Sequence, residues 1–311
     1  MSITIVCPLY NAKKYIDKLH ESLMKQLEVD IVEVKYLLTN TGDGLESKLN
    51  KLEKVIVEVI SQEDFSHSLT REKAAMTSSG DIIVFITQDI EIEDRYWLKK
   101  LTQPIYENRC EATFSRQICN NKSIERYTRM KNYGEKSRVV TEKDIETLGI
   151  MTFFFSDAAS AINASIYKEL NGYDGIDLLT NEDMYFSHKL IKNGYRIMYN
   201  SEAQVIHSHD YKFNQLIRRY FDQGVFLKQN NYLMNYKANN SALSLLKFVA
   251  INSIKEKNLK AFFSIVPNFG ARFIGNKLGQ NYNKLSKEKI LKYSSNKYYW
   301  KRNLNESVKL L

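Results

Sequence analysis

The feature that most limits the fold is an alternation in the first hundred residues, where short apolar runs are each followed by a polar cluster and then a helical pattern. Ile3–Cys7, Val32–Thr39, Val55–Ile60 and Asp81–Thr87 read as strands. Between them, Asn11 stands where a helix cap belongs and Tyr15, Leu19, Leu23 and Leu27 repeat at helical spacing. Leu45–Leu52 reads as a short helix, and Phe65–Ser79 as a longer one that Gly80 ends. Repeated strand–helix–strand order implies a parallel sheet covered on both faces. Such sheets bind ligands at the carboxyl ends of their strands. The clusters Pro8–Asn11, Asn40–Asp43, Asp64–His67 and Gln88–Asp94 all follow strands, so they should converge on one sheet edge.

After a helix at Trp97–Asn108 the order is less regular. Ala112–Ile118 reads as a strand, Lys122–Gly134 as a helix, and Met151–Ile162 as an apolar, aromatic stretch before a short helix at Ser165–Leu170. A helix at Asn181–Asn193 precedes strands at Arg196–Tyr199 and Gln204–His207. From Phe213 the pattern is helical, at 213–235, 241–256, 258–278 and 285–294. A boundary near residue 235 divides a domain over 1–235 from a basic helical region over 236–311.

Composition narrows the class. The 311 residues are 43% hydrophobic, enough for a large packed core, and only three are proline, which argues against long linkers. The three cysteines form no Cys-x-x-Cys pair, which fits a reducing cytoplasm rather than disulfides or a structural zinc. The N-terminus reads as a strand, not a signal peptide. No apolar run reaches the roughly 18–20 residues that span a bilayer. The net charge of +9 points to anionic partners, and its lysines concentrate between Lys247 and Arg302. There, apolar and basic residues interleave at helical spacing over 241–279. That pattern suits an anionic membrane surface, and equally a packing or dimerisation element.

Four clusters can carry chemistry. In VFITQDIEIED, residues 84–94, a buried strand runs into Asp89, Glu91, Glu93 and Asp94. A carboxylate at a strand end can hold a divalent cation, although Asp94 is equally suited to start the next helix. In DFSHSLTREKAA, Ser66 can cap a helix on which His67 and Arg71, four apart, share a face. Such a pair suits phosphate or a base edge, or belongs to a salt-bridged surface with Glu72 and Lys73. In LLTNEDMYFSHKL, Thr180 and Asp183 resemble a capping box, while Glu182-Asp183 at a helix start can also supply a general base. In VIHSHD, His207 and His209 alternate along a strand and face one side, within reach of a metal or a phosphate.

These motifs, in this order, resemble the inverting nucleotide-sugar glycosyltransferases of family 2. The residues that carry the resemblance are ITIVCPLYN, TNTGDG, FSHSLTREKAAMTSSGDIIVFITQDIEIED, FFFSDAASAINASIYKELNGYD, NEDMYFSHKL and VIHSHDY, over roughly residues 1–230. The SHSLTREKA helix, the TQD form of the metal motif and the HSHDY…RRYFDQG tail resemble bacterial rhamnosyltransferases. The resemblance implies a GT-A fold, an α/β Rossmann-like mixed sheet flanked by helices, here with a C-terminal helical extension. It makes Asp89 the metal carboxylate, preceded by Gln88 where the family more often has Asp, and joins His207 to the metal shell or the diphosphate. Asp183 becomes the base. Pro8, Tyr10, Asn40, Asp43, His67 and Arg71 become the nucleotide pocket, with Asn40 where the family usually has Asp. Asp94, Asp157, Glu182 and His209 become acceptor or supporting residues. The implied cofactor is Mn²⁺ or Mg²⁺, and the implied donor dTDP-β-L-rhamnose, with UDP-hexose or UDP-galactofuranose as alternatives. The implied acceptor is a lipid-linked polysaccharide precursor, met at the inner face of the cell membrane by a peripheral enzyme that can also dimerise.

Two other classes compete. A catalytically silent assembly subunit would keep the fold; the variants at Asn40 and Gln88 favour it, and the presence of Asp89 and Asp183 opposes it. A nucleic-acid-binding protein would interleave aromatic and basic residues, as only KYSSNKYYWKR, residues 292–302, does.

Overall fold

The computed structural model of the protein describes residues 1–39, 42, 44–237 and 241–307. Its sheet has eight strands: β1 (Ser2–Leu9), β2 (Asp30–Thr39), β3 (Val55–Ile60), β4 (Ile82–Ile86), β5 (Ala112–Ile118), β6 (Arg138–Val140), β7 (Ala159–Asn163) and β8 (Ile197–Ile206). They lie in the order β3-β2-β1-β4-β7-β5-β8-β6. The first four pair in parallel, as the alternation requires. β7 runs antiparallel to both β4 and β5, and β6 antiparallel to β8. The sheet is therefore mixed. The reversal of β7 brings its amino end, not its carboxyl end, to the edge where β1, β2 and β4 finish.

Alternate residues of each strand enter opposite cores. Ile3, Ile5, Cys7, Leu9, Val84 and Ile86 pack on one face with Trp97, Leu98 and Leu101 from the Trp97–Tyr106 helix. Val6, Leu37, Ile83 and Phe85 pack on the other with Tyr167, Tyr173, Phe186 and Leu190. Every residue of β4 is buried, which explains why its sequence is a continuous apolar run.

Several local expectations change. The two strands expected at 196–199 and 204–207 are one strand, β8, whose pairing register with β5 shifts between Ser115 and Arg116. The stretch read as one helix over 213–235 ends at Gln229 and continues as a 3-10 turn, Asn231–Asn235. A last helix, Lys297–Ser307, lies beyond the expected ones. Asn11 takes a left-handed conformation and makes no side-chain cap. The Thr180–Asp183 capping box does not form: Asn181, at φ 59°, precedes the Glu182–Lys192 helix, and the Thr180 hydroxyl donates to Asn181 Oδ1. The Asp183 carboxylate instead accepts from the Met184 amide.

The C-terminal helices pack directly on this body. The Phe213–Gln229 and Ile265–Gln280 helices cross at backbone contact. A Cβ on Gly279 would stand 2.0 Å from the Phe221 carbonyl oxygen, and one on Gly275 2.4 Å from that of Ile217. Glycine at both positions is what lets the helices approach so closely. Arg272, in the same helix, donates to Glu125 Oε1 at 2.5 Å, to Tyr220 OH at 2.8 Å and to Asn268 Oδ1 at 2.7 Å. That buried ion pair ties the helical layer to the Ile124–Asn132 helix of the sheet domain. No helix among the described residues is long and apolar enough to cross a membrane.

Candidate active site

A cavity of about 980 Å³ opens where β1, β2, β4, β5 and β8 end and β7 begins. Pro8 lines it at the end of β1 and Tyr10 just beyond, Thr39 at the end of β2, and Gln88 and Asp89 after β4. Asp157 precedes β7, and His207 and His209 follow β8. His67, Arg71, Glu182 and Asp183 enter from two helix starts. Asn40 and Asp43 lie outside the described residues.

The β4 end holds a convergent donor set. Asp89 Oδ1 lies 3.5 Å from His207 Nε2, Asp89 Oδ2 lies 3.9 Å from His209 Nε2, and the two Nε2 atoms are 2.7 Å apart. His207 Nδ1 lies 2.9 Å from Gln117 Oε1, an oxygen that can only accept. Nδ1 therefore carries the proton, and Nε2 presents a lone pair towards Asp89. Burial lowers His207, and lowers His209 to about 3, so both rings are neutral near pH 7. Burial pushes the Asp89 carboxyl up, but in acid, where the imidazoles take up protons, its contact with His207 and the charge of both rings outweigh burial and hold it below the usual carboxylate range. One carboxylate and two imidazoles that face one another, with a fixed tautomer behind one of them, fit a divalent cation. Among the described residues no other group of three metal-ligating side chains is gathered so closely.

Gln88 has a different task. Its Oε1 accepts from the Tyr10 amide at 2.7 Å, and its Nε2 donates to the Tyr10 carbonyl at 2.8 Å. The side-chain amide pairs with the backbone like a strand neighbour and fixes the loop after β1. An Asp in its place could accept but not donate.

The opposite wall is carboxylate-rich. Ser66 caps the His67–Met76 helix by accepting from the Leu69 amide, as expected. Arg71 on that helix is buried and donates to Glu182 Oε1 at 2.9 Å and to the His67 carbonyl at 3.1 Å. This pair fixes the start of the Glu182–Lys192 helix, so that Asp183 sits deep in the cavity with part of its surface still accessible. Burial, then the charges of Glu182 and Asp157, raise the Asp183 carboxyl well above its ordinary range. Asp157 accepts from Ser160 Oγ at 2.7 Å and from Tyr173 OH at 2.8 Å. Burial raises it to about 6.

Asp94 does not join the cavity. Its Oδ1 accepts from the Tyr96 amide and its Oδ2 pairs with Lys100, both near the start of the Trp97–Tyr106 helix. The helix-start role decides its position, beyond the strand-end turn.

The cavity also holds Gln117 and Arg129, which no sequence motif singled out, and Tyr211 and Arg219, which lie in the HSHDY…RRYFDQG motif without a role assigned from it. Gln117 and Arg129 brace His207 from behind; Arg129 donates to Gln117 Oε1 and has Nη2 3.4 Å from His207 Nδ1. Tyr211 stacks on His209 with ring centroids 4.9 Å apart, and the Arg219 guanidinium lies 5.4 Å from the Tyr211 ring. Gln117 lies at the end of β5 and could have been found by the strand-end rule. Arg129 lies mid-helix and had no such signal.

Comparison with known proteins bears on this geometry. The sequence profile of glycosyl transferase family 2 matches residues 4–170, just over half of the chain. The chain belongs to glycosyl transferase family 2. As a member it is a glycosyltransferase, and its cavity is suited to a nucleotide-sugar donor. The chain is 30% identical over 307 residues to the O-antigen chain rhamnosyltransferase RfbN of Salmonella typhimurium, with 96% of each chain covered. It is 29% identical over 306 residues, at the same coverage, to the O-antigen chain rhamnosyltransferase WbaN of Salmonella anatum. In fold it is similar to residues 1–349 of S. aureus TarS, seen in complex with UDP-GlcNAc, at a TM-score of 0.52 and 17% identity over 91% of this chain and 92% of that one. The mixed sheet with helices on both faces is thus the GT-A architecture, here with the C-terminal helices packed on it.

Proposed function

We propose that this family 2 enzyme is an inverting rhamnosyltransferase that moves L-rhamnose from dTDP-β-L-rhamnose to a hydroxyl of a lipid-linked polysaccharide precursor. One observation carries the chemistry: Asp89 with two neutral imidazoles stands on one wall of the cavity, and Asp183 with a raised affinity for protons on another. The rhamnose assignment draws support from two relatives named O-antigen chain rhamnosyltransferases, each matched along nearly the whole chain.

Asp89, His207 and His209 would hold the divalent ion, whose chemistry is to neutralise negative charge on the departing nucleoside diphosphate. Mixed oxygen and imidazole donors suit Mn²⁺ better than Mg²⁺, which prefers oxygen alone. Asp183 accepts the proton of the acceptor hydroxyl. The freed oxygen attacks the anomeric carbon once as the diphosphate oxygen leaves, so the β-linked sugar arrives as α. A positioned base of this kind contributes about 10²–10⁴-fold in rate. The raised proton affinity of Asp183 makes its carboxylate form a stronger base. Arg71 keeps the base in place through Glu182.

The helical layer suits a lipid-linked acceptor. Leu259, Phe263, Val266 and Phe273 are exposed, Val266 to 81%; Lys255 and Lys257 precede them in sequence and Lys260 lies among them. We assign this layer to the membrane surface, with self-association as the competing use of the same residues.

The test is release of nucleoside diphosphate from dTDP-rhamnose and from a panel of UDP-sugars, each with a synthetic rhamnoside acceptor, with Mn²⁺ or with chelator. Turnover with dTDP-rhamnose alone, lost with chelator and in Asp183→Asn, is the expected result. Turnover with a UDP-sugar only would overturn the donor assignment and leave the reaction class standing.

A further inference from the structure

The stretch KYSSNKYYWKR stands apart in the sequence for its mixed aromatic and basic character, and no part of the mechanism above uses it. It lies past residue 170, where the family profile ends. In the fold it returns to the sheet edge, and Lys297 and Tyr298 line the same cavity as Tyr10, Phe65 and Asp89. Tyr298 OH lies 3.3 Å from Oε1 of Gln62, in the loop that follows β3.

The segment is braced at several points. Asp222, in the Phe213–Gln229 helix, accepts from Ser294 Oγ at 2.6 Å and from the Ser295 amide at 2.9 Å. Asp177 accepts from Arg302 Nε at 3.0 Å, and from Oγ of Ser66, the cap of the His67–Met76 helix, at 2.6 Å. One carboxylate thus joins the C-terminal helix to the helix that carries His67 and Arg71. Tyr299 and Trp300 are buried with Leu179 and Phe221. Their anchoring leaves Tyr298 half-buried and Lys297 exposed at the cavity. Lys297 has no carboxylate partner among the described residues, whereas Lys301 one turn on pairs with Glu63.

The ends of β1, β2 and β3 form the parallel half of the sheet, whose crevice takes the nucleoside. An aromatic ring there offers a stacking face to a base. A cation without a carboxylate partner offers a charge-assisted bond to phosphate.

We propose that the C-terminal segment Ser294–Arg302 is a wall of the donor site, with Tyr298 and Lys297 contacting the nucleoside diphosphate. The proposal rests on the donor reading above, and deepens it by assigning part of nucleotide recognition to residues outside the family profile.

The experiment is calorimetric binding of dTDP, and of UDP, with Mn²⁺ to the full chain, paired with initial-rate kinetics. Lys297→Ala should weaken dTDP binding by about tenfold, the size of one lost charge-assisted hydrogen bond. Lys297→Arg should restore it. Tyr298→Ala should weaken binding similarly, while Tyr298→Phe, which keeps the ring, should not. In turnover the change should fall on KM for the donor, with kcat and the acceptor KM nearly unchanged; a merely structural role would instead lower the Tm and move all three. Unchanged dTDP affinity in both alanine variants, or a rise confined to the acceptor KM, would overturn the proposal and leave the donor reading intact. A wild-type chain that binds neither dTDP nor UDP would overturn both.

Discussion

The sheet edge and the C-terminal helical layer meet at one cavity but are built by opposite means. At the edge, polar side chains follow apolar strands or open helices, and each is held by a neighbour: Gln88 by the Tyr10 backbone, His207 by Gln117, Glu182 by Arg71. In the layer the fit comes from what is missing, since Gly275 and Gly279 carry no side chain where two helices touch. The outward side of the layer keeps large apolar residues in solvent, as at Phe263 and Val266. The difference teaches that chemistry resides in strand ends whose partners restrain them, while the helices wall the cavity and present a surface.

That contrast can be broken at the edge first. Asp183→Asn should lower kcat by about 10²–10⁴-fold or more while dTDP affinity changes little, measured by initial rates and calorimetry. In the wild type, kcat/KM should fall on the acid side as Asp183 takes up a proton. Because burial and two carboxylate neighbours raise this group, the fall should come at a pH above its ordinary value of 3.8. An acid limb at or below that value would remove Asp183 as the base.

A smaller effect is expected one layer back. Gln117→Leu frees the His207 tautomer without touching a ligand, and should weaken Mn²⁺ binding by about 10–100-fold, read from the metal dependence of turnover. Equal metal affinity in that variant would mean that Gln117 does not set the tautomer of His207.

The helical layer should answer in stability rather than rate. Gly279→Ala places a methyl against the Phe221 carbonyl and should cost about 1–3 kcal/mol, seen as a lowered Tm, with donor KM preserved in the folded fraction. If donor KM rises in step with the loss of stability, the layer and the edge are not separable. The smallest effect belongs to Asp94. Asp94→Asn removes a partly exposed pair with Lys100 and should cost about 0–1 kcal/mol, with kcat and metal affinity unchanged.

Much of the edge was legible in the order of apolar and polar residues. The rule that ligands collect at parallel strand ends brought together Pro8, Tyr10 and Asp89, strand alternation put His207 and His209 on one side, and helix spacing put His67 and Arg71 on one face. The sequence could not choose where one residue had two satisfactory uses. Asp94 has the chemistry of a ligand and serves a helix start. Arg71, expected at the nucleotide, spends its bond on Glu182, 111 residues away. The capping box at Thr180 did not form, because the left-handed Asn181 turns the chain so that Glu182 and Asp183 face the cavity.

The amino-acid sequence by itself determined the parallel strands β1 to β4, because their apolar runs are bounded by polar turns and alternate with helical patterns. It also determined which carboxylates and imidazoles stand near strand ends. Only the tertiary structure decided that β7 enters the sheet reversed, that Gln117 sets the tautomer of His207, and that the last helix closes over the edge near Gln62. Those outcomes depend on contacts between residues up to 236 positions apart. Periodicity describes what a segment must bury, and the segment against which it is buried is chosen only when the whole core packs.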